Sequence, residues 1–188
     1  MKRSYLTPLL ICLLLAGCSA DNADEELAEP ELIVAAEQGD LGRLDLLLQQ
    51  QPDPDVRDSC QWTPLMKAAH LGHKAVVQRL LLLDAQVDLA DKGGYTALLL
   101  AASNNHVEII DLLHARGANL NQQERTNGWS ALIWAANMGH QASVERLLQL
   151  GADPSLRDLK GRTALDWAQL KQHQPLIPLL SAAKPATW

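Results

Sequence analysis

A short pattern returns at nearly constant spacing along this chain, and that periodicity restricts the fold more than any other feature. Trp62-Thr63-Pro64-Leu65 comes back as Tyr95-Thr96-Ala97-Leu98, Trp129-Ser130-Ala131-Leu132 and Arg162-Thr163-Ala164-Leu165, its hydroxyl residues 33, 34 and 33 positions apart. An alanine pair follows at a fixed offset: Ala68-Ala69, Ala101-Ala102, Ala135-Ala136, and Ala168 beside Gln169. One period before Thr63 stands Pro30, followed at the same offset by Ala35-Ala36. A repeat of this length is one small structural unit that needs its neighbours to cover its apolar side. Five units fit from Pro30 to Ser181.

The residues within a unit say what the unit is. A Thr or Ser hydroxyl accepts from the free N–H groups at a helix start, and Pro64 falls where the first helical position needs no donor. The alanine pair makes a thin face that lets a neighbouring helix come close. A second helix follows, with apolar residues at i and i+3: Leu44 and Leu47, Val77 and Leu80, Ile110 and Leu113, Val144 and Leu147, Ile177 and Leu180. Gly117-Ala118 and Gly151-Ala152 then supply the left-handed residue that ends a helix. Asn119-Leu120-Asn121 and Asp153-Pro154-Ser155 lead into a polar turn.

Taken together, the period, the Thr-Pro-Leu start, the alanine pair, the Gly-His step and the Gly-Ala-Asp end resemble the ankyrin repeat. The resemblance implies an all-α solenoid of about five stacked helix-turn-helix units, with β-hairpin loops projecting to one side of a concave face. Some positions depart from the pattern. Met66, Leu99, Ile133 and Asp166 replace the family's usual His, whose hydrogen bonds to the hairpin are then expected to be missing. Asp84 and Asn105 stand in Gly positions, and the loop from Asn121 to Gly128 is one residue longer than its counterpart, so local irregularity is expected there. Pro175 and Pro178 are expected to shorten or distort the last helix.

The resemblance also places candidate partner contacts. Trp62, Tyr95, Trp129 and Arg162 precede the capping hydroxyl in successive units, a position that in ankyrin proteins points toward the concave surface. Trp, Tyr and Arg are the types that most often anchor protein interfaces. The competing reading is that each ring packs on its own hairpin. His70, Leu71, Asn104, Asn137 and Met138 follow the alanine pairs and are expected to face the groove. Trp134 and Trp167 are expected to fill the core between units.

Chemistry is hard to find in this sequence. Gly128-Trp129-Ser130-Ala131-Leu132 lacks the second glycine of a nucleophile elbow, and Ser130 serves better as a cap. Gly93-Gly94 reads as a hairpin tip rather than a phosphate loop. His70 and His73 lie three apart, but His73 shares one repeat position with His106 and His140, and a structural metal normally takes four ligands. No cofactor, metal or catalytic residue is expected, and the many carboxylates read as a solvated face. Cys60 is expected to be either partly covered and inert or open to oxidation. The formal net charge of −6 argues against nucleic acid, whose binding rests on neutralising phosphates.

The first residues read as an address. Lys2 and Arg3 precede an apolar run from about Leu6 to Ala16, too short to span a bilayer, and then Gly17 and Cys18. Leu15-Ala16-Gly17-Cys18 resembles the lipobox of bacterial lipoproteins. That resemblance implies a signal peptide over residues 1–17, lipidation of Cys18, and the periplasmic side of the outer membrane, since Ser19 is not the Asp of an inner-membrane retention signal. The alternative is a plain secretory signal cut near Ala20 and a soluble periplasmic protein. Residues 18–29 form an acidic tether, 30–181 the repeat domain and 182–188 a tail. The expected function is that of a monomer binding one protein partner, as an envelope protection or immunity factor, with no membrane contact except through lipid. The alternatives are a structural spacer and, remotely, a hydrolase.

Overall fold

The computed structural model describes residues 29–50 and 52–183. The leader, Cys18 and nearly all of the tether lie outside the described residues. Among the described residues ten helices follow one another in five pairs: α1 (Glu31–Gln38) with α2 (Leu41–Gln50), α3 (Pro64–Leu71) with α4 (Lys74–Leu82), α5 (Ala97–Ser103) with α6 (Val107–Ala115), α7 (Ala131–Met138) with α8 (Gln141–Gln149), and α9 (Ala164–Leu170) with α10 (Leu176–Ala182). The first helices stack in one row, α1 on α3 on α5 on α7 on α9, and the second helices form a parallel outer row.

The alanine pairs set this stacking. All eight residues of Ala35-Ala36, Ala68-Ala69, Ala101-Ala102 and Ala135-Ala136 are fully buried, because each pair receives the next inner helix. In the last unit Ala168 is buried while Gln169, with no further helix to meet among the described residues, is exposed. The outer helices behave in the same graded way. Both apolar partners are buried at Val77 and Leu80, Ile110 and Leu113, and Val144 and Leu147, whereas Leu47 and Ile177 in the end units are only partly covered.

The helix starts follow the sequence pattern. Thr63, Thr96, Ser130 and Thr163 accept from the backbone N–H of Met66, Leu99, Ile133 and Asp166. Asp166 returns the bond to Thr163, closing a capping box. Met66, Leu99 and Ile133 are buried and fill the interior with apolar volume. The irregularity expected at Asp84 and Asn105 does not occur. Both adopt the left-handed backbone that Gly takes elsewhere, with φ of 59° and 61°. Asn105 gains from the exchange, because its side-chain oxygen accepts from the hydroxyl of Ser143 in the next unit. Pro178 falls in the first turn of α10, where the missing N–H breaks no helical bond, and α10 is seven residues against nine in α8.

The side loops are tighter than β-hairpins. Each closes through a backbone bond at its base, Asp58 to Trp62, Asp91 to Tyr95, Glu124 to Trp129 and Asp158 to Arg162, and three hold a second inside it, from Gln61 to Asp58, Gly94 to Asp91 and Gly161 to Asp158. The third loop adds an isolated antiparallel bridge between Gln123 and Ser130, the one bridge among the described residues.

Candidate protein interface

The loops build the site from their own carboxylates. Asp58 accepts from the N–H groups of Cys60 and Trp62, and Asp91 from that of Tyr95. Asp158 accepts from Lys160 and Arg162, and Glu124 from Thr126, Asn127 and Trp129. Asp91, Glu124 and Asp158 are buried. Glu124 stands in the loop with the extra residue, and its additional methylene lets one carboxylate reach across the longer turn. These acids recur at the repeat spacing, so the solvated acidic face expected from the sequence gives way at these four positions to carboxylates that hold the loops.

Adjacent loops are joined into one strip. Lys92 N–H donates to the carbonyl of Cys60 at 3.2 Å, Arg125 N–H to Gly93 at 2.7 Å, and Leu159 N–H to Asn127 at 2.8 Å. Each aromatic residue also reaches forward. The Trp129 indole donates to Asp158 in the next loop at 3.3 Å. The Trp62 indole lies near enough to Asp91 to lower its pKa, and the Tyr95 hydroxyl near enough to Glu124 and Thr126 for both to affect its own. The rings thus lean toward the neighbouring loop, and the Tyr95 ring also lies against Gly93 of its own. Burial raises the pKa of Asp91 against the lowering effect of these donors. At Asp158 burial also pushes upward, but the Arg162 N–H and the indoles of Trp167 and Trp129 outweigh it and hold the carboxyl below its ordinary range.

A row of aromatic rings lines the inner side of the last units. Trp129 meets Trp134 edge-on at 4.6 Å and Trp167 at 5.0 Å, and Tyr95 lies 6.2 Å from Trp134. Arg162 lies 5.0 Å over the Trp167 ring. The Trp134 Nε1–H, buried between its neighbours, has no acceptor among the described residues. Trp167 is buried as expected, while Trp134 is only half covered and continues the row. Trp62, in the first loop, sits edge-on to His70 at 5.8 Å with the Lys67 ammonium 5.3 Å from its ring. Lys67 is itself held by Glu29 at 3.0 Å and Glu37 at 3.5 Å.

The expected contact residues divide into three groups. Leu71 and Met138 are 43% and 50% exposed, and Asn104 is exposed beside His70, whose Nδ1 lies 3.0 Å from the Asn104 amide. Trp62, Trp129, Arg162, His70 and Asn137 are half-buried. Tyr95 requires a correction: it is 8% exposed, wedged between Trp134 and the next loop, so its ring is interior structure rather than an open anchor.

The histidines are joints between units. The Nε2 of His73, His106 and His140 lies 2.8, 3.1 and 3.0 Å from the carbonyls of Glu37, His70 and Ser103 in the preceding unit. His173, at the same repeat offset, meets Asn137 in the same way at 3.0 Å. Burial, followed by the charges of His106 and Lys67, lowers the pKa of His70. Among the described residues no group of three or more His, Cys, Asp or Glu is placed to hold a metal, and no helix is long and apolar enough to cross a membrane.

Stacked helix pairs, a joined strip of loops and a groove of inner-helix ends define a helical repeat scaffold of the kind that binds proteins. Comparison gives the family. The model for ankyrin repeats in three copies matches residues 32–124 and 116–186, and the chain belongs to the ankyrin-repeat family. It is 33% identical over 138 residues to ankyrin repeat protein nuc-2 of Neurospora crassa, covering 73% of this chain and 13% of that protein. It is 32% identical over 141 residues to a putative palmitoyltransferase, ZDHHC13, of Danio rerio, covering 75% and 22%. A mouse protein, ankyrin repeat and SAM domain-containing protein 6, is 38% identical over 84 residues, covering 45% and 10%. The chain therefore spans between a tenth and a quarter of the length of these relatives, and the likeness is of repeats rather than of whole proteins.

Proposed function

We propose that this protein is an exported, lipid-anchored binder that holds one protein partner with its loop strip and groove. The observation that carries the reading is the coexistence of joined loops with exposed Leu71 and Met138 at the last residues of α3 and α7, and with half-open Trp62 and Trp129. Rigid loops lose little freedom on binding, and apolar and aromatic side chains around them supply the contact energy. Relatives named as a palmitoyltransferase and as a probable E3 ubiquitin-protein ligase of Oryza sativa match through only 22% and 26% of their lengths, which fits a shared binding module better than a shared reaction.

The anchor rests on the sequence Leu15-Ala16-Gly17-Cys18. Several acyl chains would hold the protein firmly, at about 0.8 kcal/mol for each buried methylene. The periplasmic face of the outer membrane and a protective or immunity role belong to the same proposal. Crosslinking in intact cells tests the binding reading. A partner captured by the native chain should be lost from a folded Trp62→Ala/Leu71→Ala/Met138→Ala variant, and equal capture by that variant would remove this surface from the account. Cys18→Ala should abolish lipid labelling, and unchanged membrane retention would refute the anchor.

A further inference from the structure

The inner side of the stack is a ladder of contacts, and its first rung is the last residue of the acidic tether. In three units the residue before the cap lies against the residue five places further on: Trp129 against Trp134 at 4.6 Å, Arg162 over Trp167 at 5.0 Å, and Trp62 under the Lys67 ammonium at 5.3 Å. Residues at this place also reach the equivalent position of the next unit, as Tyr95 does with Trp134 at 6.2 Å and Trp129 with Trp167 at 5.0 Å. Glu29 stands one repeat before Trp62. It makes the same forward contact, as an ion pair with Lys67 at 3.0 Å.

Lys67 is the exception in its row, since Leu100, Trp134 and Trp167 hold the same place in the later units with uncharged side chains. A lysine stem is flexible, so the charges around its ammonium decide where that ammonium sits. Lys67 is buried, with Glu29 at 3.0 Å and Glu37 of α1 at 3.5 Å on its ammonium, which lies over the Trp62 ring. A cation in that position is attracted by the face of the ring. Glu29 is aimed by its own backbone. It precedes Pro30, whose carbonyl accepts from Ile33 and Val34 at the start of α1, and the residue before a proline is confined to extended backbone. Trp62 is half-buried, edge-on to His70 at 5.8 Å and close to Asp91.

We propose that Glu29 and Lys67 are positioning residues for Trp62, an inference whose consequence for a partner rests on the protein-binding reading above. Loss of the closer acid lets the ammonium shift, and the ring then loses the contact that sets its tilt between His70 and Asp91. The segment proposed to carry the anchor is thereby coupled to the first contact of the groove through two side chains. Glu29 is a rung of the repeat stack as well as the end of the tether.

The test uses the full chain carrying Cys18→Ser, so that no acyl chain contributes, labelled with 5-fluorotryptophan and read by fluorine NMR. Trp62→Phe assigns the Trp62 resonance. Glu29→Gln should displace that resonance, and Lys67→Met should displace it further. Lys67→Arg, which keeps the charge and can stack on the ring, should bring it back toward its native place. Glu31→Gln removes the same charge two residues away, from an exposed pair with Arg43 at 3.5 Å, and should leave Trp62 unmoved. The resonances of Trp129, Trp134 and Trp167 should hold still in all of these chains. A Trp62 resonance indifferent to Glu29→Gln, equal shifts from Glu29→Gln and Glu31→Gln, or a common shift of every tryptophan would each overturn the proposal. The two glutamate variants decide the matter even where Lys67→Met does not fold. In cells, with Cys18 kept, Glu29→Gln should lower capture of a partner at least about twofold, the least that contacting side chains usually couple. Undiminished capture would overturn the coupling to binding, yet leave the groove reading standing, since that reading is tested by the Trp62, Leu71 and Met138 variant.

Discussion

At the scale of single residues, left-handed backbone separates positions that look alike. Gly72 has φ of 80°, and a Cβ there would lie 2.5 Å from the His106 ring that reaches back to the His70 carbonyl. Gly72→Ala should therefore cost well over about 1 kcal/mol, measured as a lowered midpoint in urea. Asp84 takes φ of 59° without reward, since its side chain is 96% exposed and its contact with Arg116 is 3.9 Å long. Asp84→Gly should stabilise by about 0.5–1 kcal/mol. Asn105→Gly should not, because the buried Ser143 hydroxyl would lose its acceptor.

The loop acids also give opposite responses to pH. Asp158 has a lowered folded pKa, so its contribution is complete above the unfolded value and is lost as pH falls through the folded one. Asp91 has a raised folded pKa, so its protonated form favours the fold and acidification adds stability there. Between about pH 5 and pH 2, Asp158→Asn should flatten the loss of stability and Asp91→Asn should steepen it, read from urea midpoints across that range. Identical slopes in both variants would show that neither carboxylate is held as described.

At the scale of elements, side-chain length and loop length are matched. The three N–H groups on Glu124 belong to the loop with the extra residue, whereas Asp serves the loops one residue shorter. Glu124→Asp should cost about 1–3 kcal/mol, because a buried carboxylate one methylene short leaves donors unmet. Deleting Thr126 in the same chain should recover most of that loss, since the loop then has the length of its neighbours. A double mutant no better than the sum of the singles would refute the matching. The helix caps, alanine pairs and outer apolar pairs were all legible beforehand, since each is a local chemical requirement repeated at a fixed offset. The forward reach of Trp62, Tyr95 and Trp129 was not, because it depends on where the next loop lies.

At the scale of the whole molecule, each unit touches only its neighbours, so protection should follow position in the stack. Among the described residues, the central pair α5–α6 is covered on both sides, while α1–α2 and α9–α10 are covered on one. Backbone amides of Leu99 to Ala102 should therefore exchange with deuterium more slowly than those of α1 and α10, by about tenfold or more. Uniform exchange along the stack would mean that the chain opens as one body instead of fraying from its ends.

The sequence by itself determined the repeat, the number of units, the helix starts and the thin faces, because these follow from residue types and spacing along one chain. It also marked Trp62, Trp129, Leu71 and Met138 as candidates for contact. Only the tertiary structure decided that Tyr95 is interior, that four acids hold the loops, and that adjoining loops form one strip. Those outcomes depend on which group of the next unit stands within hydrogen-bond reach. Stacking sets that distance across some thirty-three residues of chain, and no single unit encodes it.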